Sequence, residues 1–590
     1  MKKLISSLLL LSFLYSFAFA VSFDELSFEE KLGQTLVAFV DVDSAELVRP
    51  VIESGKIGGV LIQWGNYSLP QTEALVIKLQ KWAQKSPHKI PLLISIDYEG
   101  GTVHTPITLG FDYLPTNMML SATGDETSAA AIAYLAGLEL KRAGVHINFS
   151  PVLDVNSNPH NPIIGVRSFG SDPQNVTRMG LSLIHGFQAA GILSVVKHFP
   201  GHGDTASDSH YQTPVVKASA EQMKKIHLAP FQAAIEQNVD GIMTGHVLYP
   251  TLDSKNIATF SKPILNDLLR QKMGFKGLLV TDSLDMKSAT SYCSMAGCAA
   301  RALDSGEEMI LLGRYIKPVS LFGQILGEVK KRKLEPRVEK AARKIFDIKE
   351  KLGLLSSEPQ EVAEPSQKAY QTELAKISDK AVTLVRNRKK LIPFTPQTRE
   401  NQKPTVCAVF FAPSRFADQL MSFSQPFMEK GWNVRSYNAA LTPRKKDSER
   451  AAACAKGADL LILTSLQWAD KTNINQKNVI SGLINENKNV VFISTMSPYD
   501  IPNYPEADTV LATYGLNRYV LHTAADIILG NIEAKGKLPV KLESFLRAAP
   551  RGDKLIHCRQ NGNHNNSRYH VMEVMLYNRQ VGKEISPAYK

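Results

Sequence analysis

Between about residues 24 and 355, short apolar runs able to form strands alternate with amphipathic segments able to form helices. The strand candidates are Gly59–Gln63, Pro91–Asp97, Val145–Val155, Ile192–Phe199, Gly241–Val247, Gly277–Asp285 and Glu308–Gly313. Helical patterns such as Thr72–Ser86, Ala129–Arg142, Asp172–Ala190, Ser219–Gln237 and Ser261–Lys272 lie between them, and Ser27 with Glu30 forms a capping-box start to the first helix. Alternation of this kind calls for parallel strands joined by crossover helices. Over roughly 330 residues it predicts a TIM-type (β/α)8 barrel rather than an open sheet. Asp97, Asp154, His198, His246 and Asp282 each fall at or just past the C-terminal end of a strand candidate. A barrel gathers those ends on one face, where its chemistry is done.

At 590 residues the chain is too long for a single core. A positive start at Lys2-Lys3, the apolar run Leu4 to Phe17 and the small-residue site Ala18-Phe19-Ala20 read as a signal peptide over 1–20. That implies an exported protein, periplasmic or secreted, touching a membrane only if the leader stays uncleaved. The barrel domain then spans 21–355, and the polar, Pro-containing stretch 356–372 reads as a linker. A smaller α/β sandwich domain occupies 373–541, with strand candidates Ala381–Val385, Val406–Phe411, Leu460–Thr464, Val490–Ser494 and Thr509–Thr513. Residues 542–590, rich in Asn, Arg and His, read as an irregular basic tail. Five cysteines, few and odd in number, suggest no disulfide framework, and none has zinc-ligand spacing. The net charge of +12 falls to +10 once Lys2 and Lys3 are removed, and it is scattered rather than gathered into a basic stripe. Nucleic acid is therefore not an expected partner, whereas an anionic envelope polymer is compatible.

The chemistry concentrates after one strand. Residues 197–210 hold three histidines, two aspartates and a lysine, in Lys197-His198-Phe199-Pro200-Gly201-His202-Gly203-Asp204-Thr205 and Asp208-Ser209-His210. Glycines and proline make this a loop, and burying so many ionisable groups without partners would be costly. With Asp208 two residues away, His210 can have one ring nitrogen fixed by the carboxylate and the other free to move a proton. His198, His202, Asp204, Asp208 and His210 are also zinc or manganese ligand types. A lysine beside a divalent ion is unfavourable, so no metal and no cofactor is expected. Asp282, after the apolar run Gly277–Val280, could serve as a nucleophile, a metal ligand or an ion-pair partner.

The 197–210 loop resembles the signature loop of bacterial β-N-acetylglucosaminidases of glycoside hydrolase family 3. Ile96-Asp97-Tyr98-Glu99-Gly100-Gly101, Asn148-Phe149-Ser150-Pro151-Val152-Leu153-Asp154-Val155, Arg167-Ser168-Phe169-Gly170 and Val280-Thr281-Asp282 with Met286 resemble its other blocks, in order. The likeness covers about residues 24–350, and the run from Gly530 to Val540 resembles the end of the family's α/β sandwich domain. Thr102 departs from the pattern, standing where many members have arginine. The resemblance implies that Asp282 is the nucleophile of a covalent glycosyl-enzyme and that His210, assisted by Asp208, is the acid/base. It also implies that Asp97, Arg167, Lys197 and His198 bind hydroxyls of the terminal sugar.

The expected activity is that of a retaining exo-hydrolase removing terminal β-linked N-acetylglucosamine, with an amino-sugar oligosaccharide or muropeptide as substrate. Three other readings stand beside it: a phosphorylase using the same residues, a noncatalytic wall-binding protein on a retired scaffold, and a metallohydrolase.

Overall fold

The computed structural model describes residues 21–542 except 64, 66, 102–108, 315–316, 357–362, 398–401 and 468–472. The predicted leader, the tail from residue 543 and Thr102 lie outside the described residues. By contact the chain divides into two units. The first takes residues up to 117, 125–155 and 167–373, and the second takes 118–124, 156–166 and 374 onward.

Eight parallel strands build the first unit: β1 Leu36–Val40, β2 Gly59–Ile62, β3 Leu93–Ile96, β4 Ile147–Asn148, β5 Leu193–Phe199, β6 Gly241–Thr244, β7 Leu278–Thr281 and β8 Ile310–Leu311. They pair in the order β8-β1-β2-β3-β4-β5-β6-β7. A parallel bridge between Val280 and Met309 joins β7 back toward β8 and closes the ring. A hairpin of Leu248–Tyr249 and Asp253–Ile257 is inserted between β6 and β7. Val37, Leu61, Leu93, Val195, Met243 and Leu278 point inward from successive strands and, with Phe149, fill the barrel as one apolar cluster. Helix Glu335–Lys351 and the turn after it bring Ile345, Ile348, Leu352 and Leu354 against the same cluster. Lys349 on that helix is buried, and its ammonium donates to Gln34 Oε1 (2.6 Å) and Gly58 O (2.9 Å), just before β1 and β2. Burial pushes that amine down to about 7.

The second unit carries a six-stranded mixed sheet: β9 Thr383–Asn387, β10 Thr405–Phe411, β11 Asn433–Ala439, β12 Leu460–Ser465, β13 Val490–Ser494 and β14 Thr509–Ala512. Its order is β9-β14-β13-β12-β10-β11, parallel except for the antiparallel β9–β14 pair. Helices Ala417–Glu429 and Arg518–Leu529 pack together, as do Lys445–Ala455 and Ile474–Glu486, giving an α/β sandwich. Asn156 belongs to this unit and donates through Nδ2 to Tyr499 Oη at 3.0 Å.

Several local expectations need correction. Strand β1 is not among the sequence candidates, because its apolar run follows helix Phe28–Gln34 across the single residue Thr35 and no loop signal separates them. The run Val145–Val155 forms only the two-residue β4. Pro151 has no N–H to offer a ladder, and Asn148 binds the Tyr98 backbone through its side chain, accepting from Tyr98 N at 2.9 Å. Strand β11 was also hidden, since Asn433, Arg435, Ser436 and Asn438 give a sheet edge a polar sequence. The end of the expected linker, residues 367–372, belongs instead to helix Gln367–Ala381. Four of the five cysteines pair, as Cys293–Cys298 and Cys407–Cys454. The second pair joins β10 to helix Lys445–Ala455, partners 47 residues apart that only the fold brings together.

Truncating the barrel core should be costly. Phe149→Ala removes a fully buried ring, and a loss of about 3–5 kcal/mol is expected. It should appear in urea titration as a lower midpoint with little change in slope.

Candidate active site

The C-terminal ends of the strands form the barrel mouth, and the described ionisable groups interlock there. Asp97 follows β3 directly, and Glu99 lies two residues further on. Lys197 and His198 are both on β5, where strict alternation would send them to opposite faces. The pairing of β5 with β6 shifts register between Val196 and Phe199, and both side chains engage carboxylates. The Lys197 ammonium, only 3% exposed, reaches Asp97 Oδ1 (2.7 Å) and Glu99 Oε1 (2.6 Å). Arg167 grips the same Glu99 in a two-pronged pair, Nε to Oε2 at 2.7 Å and Nη2 to Oε1 at 2.8 Å. Its Nη2 lies 3.4 Å from His198 Nε2.

The remaining contacts fix His198. Its Nδ1 lies 2.6 Å from Asp154 Oδ2, and Asp154 Oδ1 accepts from the backbone N–H groups of His198 (3.2 Å) and His202 (2.6 Å). Burial raises the Asp154 carboxyl, but the neighbouring His198, its hydrogen bond and the backbone N–H of His202 more than offset this and hold it below the usual range. For Lys197, burial lowers the amine, while Asp97 and Glu99 raise it further than burial takes away.

Asp282 follows β7, with its Oδ1 accepting from Ser283 N–H at 2.7 Å. Burial pushes its carboxyl up. The neighbouring imidazoles of His246 and His198, the Ser283 N–H and the Lys197 ammonium pull it down by more, so an ionised aspartate sits in the mouth.

The loop after β5 begins at Gly201, whose φ of +125° suits glycine and where a Cβ would come within 2.8 Å of His227 Cβ. His202 is buried, with Nδ1 at 2.9 Å from Thr205 Oγ1 and Nε2 at 3.3 Å from Ser209 Oγ. Burial and the charge of His198 push it down to about 4, leaving it neutral. Ser209 O accepts from Ser288 N–H (3.2 Å), tying the loop to the segment that follows Asp282. The loop thus presents His210, whose side chain is 54% exposed. Asp208 Oδ1 accepts from the His210 backbone N–H (2.8 Å) and from Nδ1–H (2.7 Å). Nδ1 is therefore committed and Nε2 is the nitrogen left to exchange a proton. Burial lowers the imidazole, but the Asp208 hydrogen bond and charge, together with the charge of Asp282, raise it above its ordinary value.

Asp97, Arg167, Lys197 and His198 thus form one interlocked group, and the Asp208–His210 dyad feels the field of Asp282. Arg167 and Lys197 spend contacts on Glu99, which the sequence marks only as part of the Ile96–Gly101 motif. Its position two residues beyond Asp97 was the available signal. From the sequence, Asp154 and His246 stand out only as strand-end residues. Among the described residues, no group of three or more His, Cys, Asp or Glu side chains is gathered as a metal ion would require. No described helix is long and apolar enough to cross a membrane.

A closed (β/α)8 barrel with paired acidic and imidazole groups at its mouth, followed by an α/β sandwich, defines the architecture of a two-domain glycoside hydrolase. The family models for the glycosyl hydrolase family 3 N terminal domain and C-terminal domain match residues 27–348 and 201–582, and the chain belongs to that family. It is 29% identical over 546 residues to beta-hexosaminidase A of Pseudoalteromonas piscicida, covering 82% of this chain and 89% of the relative. Over 552 residues it is 26% identical to a beta-N-acetylglucosaminidase/beta-glucosidase of Cellulomonas fimi, covering 88% and 94%. The solved family 3 beta-N-acetylglucosaminidase of Paenibacillus sp. FPU-7 superposes with a TM-score of 0.78 at 28% identity, covering 88% of this chain and 99% of that one.

The Glu99 pairs give a direct test. Glu99→Gln leaves two buried cations facing each other, which should cost about 3–5 kcal/mol. Thermal unfolding should register the loss, and an unchanged melting temperature would show that Glu99 is not the counter-ion.

Proposed function

We propose that the chain is a retaining exo-β-N-acetylglucosaminidase acting on terminal β-linked N-acetylglucosamine, with muropeptide fragments as its substrates outside the cytoplasm. The observation that carries this reading is the 2.7 Å bond between Asp208 and His210, on a loop whose imidazole sits in the field of an ionised Asp282. In the first step an Asp282 oxygen attacks the anomeric carbon while the glycosidic C–O bond breaks, and His210 Nε2 gives its proton to the leaving oxygen. In the second step His210 takes a proton from water, the water oxygen bonds to the anomeric carbon, and the Asp282 ester bond breaks. The transition state carries positive charge on the sugar ring. Four carboxylates (Asp97, Glu99, Asp154 and Asp282) against the two cations Lys197 and Arg167 suit that charge. Asp97 is the most accessible of the interlocked group, with its side chain 28% exposed, and is suited to accept from a sugar hydroxyl.

The names borne by the Pseudoalteromonas, Cellulomonas and Paenibacillus proteins support the amino sugar. Two disulfides support an oxidising compartment, and with it the exported reading of the leader. A neutral imidazole in place of a second carboxylate does not repel phosphate, so phosphorolysis through the same residues is the second reading.

Hydrolysis of a chromogenic β-N-acetylglucosaminide should be measured beside the matching β-glucoside, with and without phosphate. Turnover confined to the amino sugar and indifferent to phosphate is expected, whereas a sugar phosphate product would establish the second reading. Asp282→Ala should abolish turnover of every glycoside. His210→Ala should slow poor leaving groups far more than activated ones, and equal losses would sink the acid/base role.

Asp208→Asn tests the dyad through pH. The carboxylate raises the His210 pKa, so its loss lowers that pKa. The alkaline limb of kcat/KM should then move to lower pH. A limb that does not move would remove Asp208 from the mechanism.

A further inference from the structure

His246 lies two residues beyond β6, fully buried, and the mechanism above gives it no proton to move. Its two ring nitrogens are both engaged. Nε2 is 3.0 Å from Ser283 O, and Nδ1 is 2.7 Å from Thr259 Oγ1. A carbonyl oxygen can only accept, so Nε2 carries the hydrogen. In the neutral ring Nδ1 then accepts, and the Thr259 hydroxyl donates to it at 2.7 Å in preference to the Gly245 carbonyl, which is 3.3 Å away. With that hydrogen spent, the Thr259 oxygen can accept from Thr244, whose Oγ1 stands 3.1 Å away. Thr244 has one hydroxyl hydrogen; once that goes to Thr259, its oxygen is left to accept from Glu307 Oε1 at 2.6 Å. Only a protonated Glu307 can donate there. Burial pushes that carboxyl up to about 8, and its other oxygen has no hydrogen-bond partner among the described residues, an arrangement far cheaper for a neutral acid than for an anion. Burial likewise lowers His246, by more than the charge of Asp282 raises it. Every donor therefore points one way, from Glu307 through Thr244, Thr259 and His246 to the carbonyl of Ser283. The N–H of that same residue holds Asp282 Oδ1 at 2.7 Å.

We propose that His246 is a positioning residue for Asp282, fixed as its Nε2–H tautomer by the chain Glu307–Thr244–Thr259 and acting through the backbone of Ser283. The inference rests on Asp282 being the nucleophile and adds what aims it. A second tie comes from Ser288, whose hydroxyl donates to His246 O at 2.5 Å and keeps the ring's own backbone in register with the segment that follows Asp282. A nucleophile held by one N–H is sensitive to small rotations of that peptide, and misplacement of reacting atoms lowers kcat more than it lowers binding.

The test uses the full chain and a chromogenic β-N-acetylglucosaminide. Thr259→Val keeps shape but removes the hydroxyl, and should lower kcat about tenfold with KM changed less than about twofold. Thr259→Ser restores a hydroxyl and should recover most of the rate. At Glu307, glutamine still offers an N–H to Thr244 and should outperform leucine. Melting temperatures are read alongside, and if Thr259→Val does not fold, the Glu307 pair decides. A folded Thr259→Val with the parent kcat, or serine and valine variants equally impaired, would overturn the proposal. Absence of turnover in the unmodified protein would instead remove the glycosidase reading, and this inference with it.

Discussion

A buried ammonium organises the barrel mouth. Lys197 is almost wholly shielded from water, and a charge in that setting persists only if counter-charges are held against it. Asp97 and Glu99 meet that demand. Glu99 then has a second lone-pair face to satisfy, which Arg167 fills bidentately, and Arg167 lies against His198, which Asp154 holds from the other side. The six members of this lattice come from residues 97–99, 154, 167 and 197–198, so removing one member exposes its neighbours to an unpaired charge. The rim is stiff for electrostatic reasons as much as for packing.

Histidines around this lattice show how environment divides one side chain into different tasks. His202 is buried next to His198, is driven neutral, and pins the loop internally through Thr205 and Ser209. His246 is buried with both nitrogens committed and is suited to holding backbone. His210 is half exposed, has a carboxylate on one nitrogen and carries a raised pKa, the combination needed to give and take a proton near neutrality. The same ring is suited to be staple, strut or proton carrier according to what surrounds it.

Much of this was readable before any coordinates. The period of the apolar runs disclosed a barrel, and strand-end residues Asp97, His198 and Asp282 disclosed its working face. The elements that escaped were those whose local sequence contradicts their setting. Strand β1 runs on from a helix without a loop signal, β4 is cut short by Pro151 and by the Asn148 side chain, and β11 is a polar edge. The disulfide Cys407–Cys454 escaped because its partners meet through sheet and helix packing.

The sequence by itself determined the architecture and which ionisable groups stand at the ends of the barrel strands. Periodicity is a local property, and a carboxylate or imidazole keeps its intrinsic chemistry wherever the chain places it. Tertiary structure alone decided which charges pair, that Glu99 is the shared counter-ion of Lys197 and Arg167, that Lys197 and His198 both meet carboxylates although they are neighbours on one strand, and that Glu307 stands within reach of Thr244. Those outcomes depend on distances of a few ångströms between residues tens of positions apart. Electrostatic and hydrogen-bond energies change over just that range, and no local pattern encodes it.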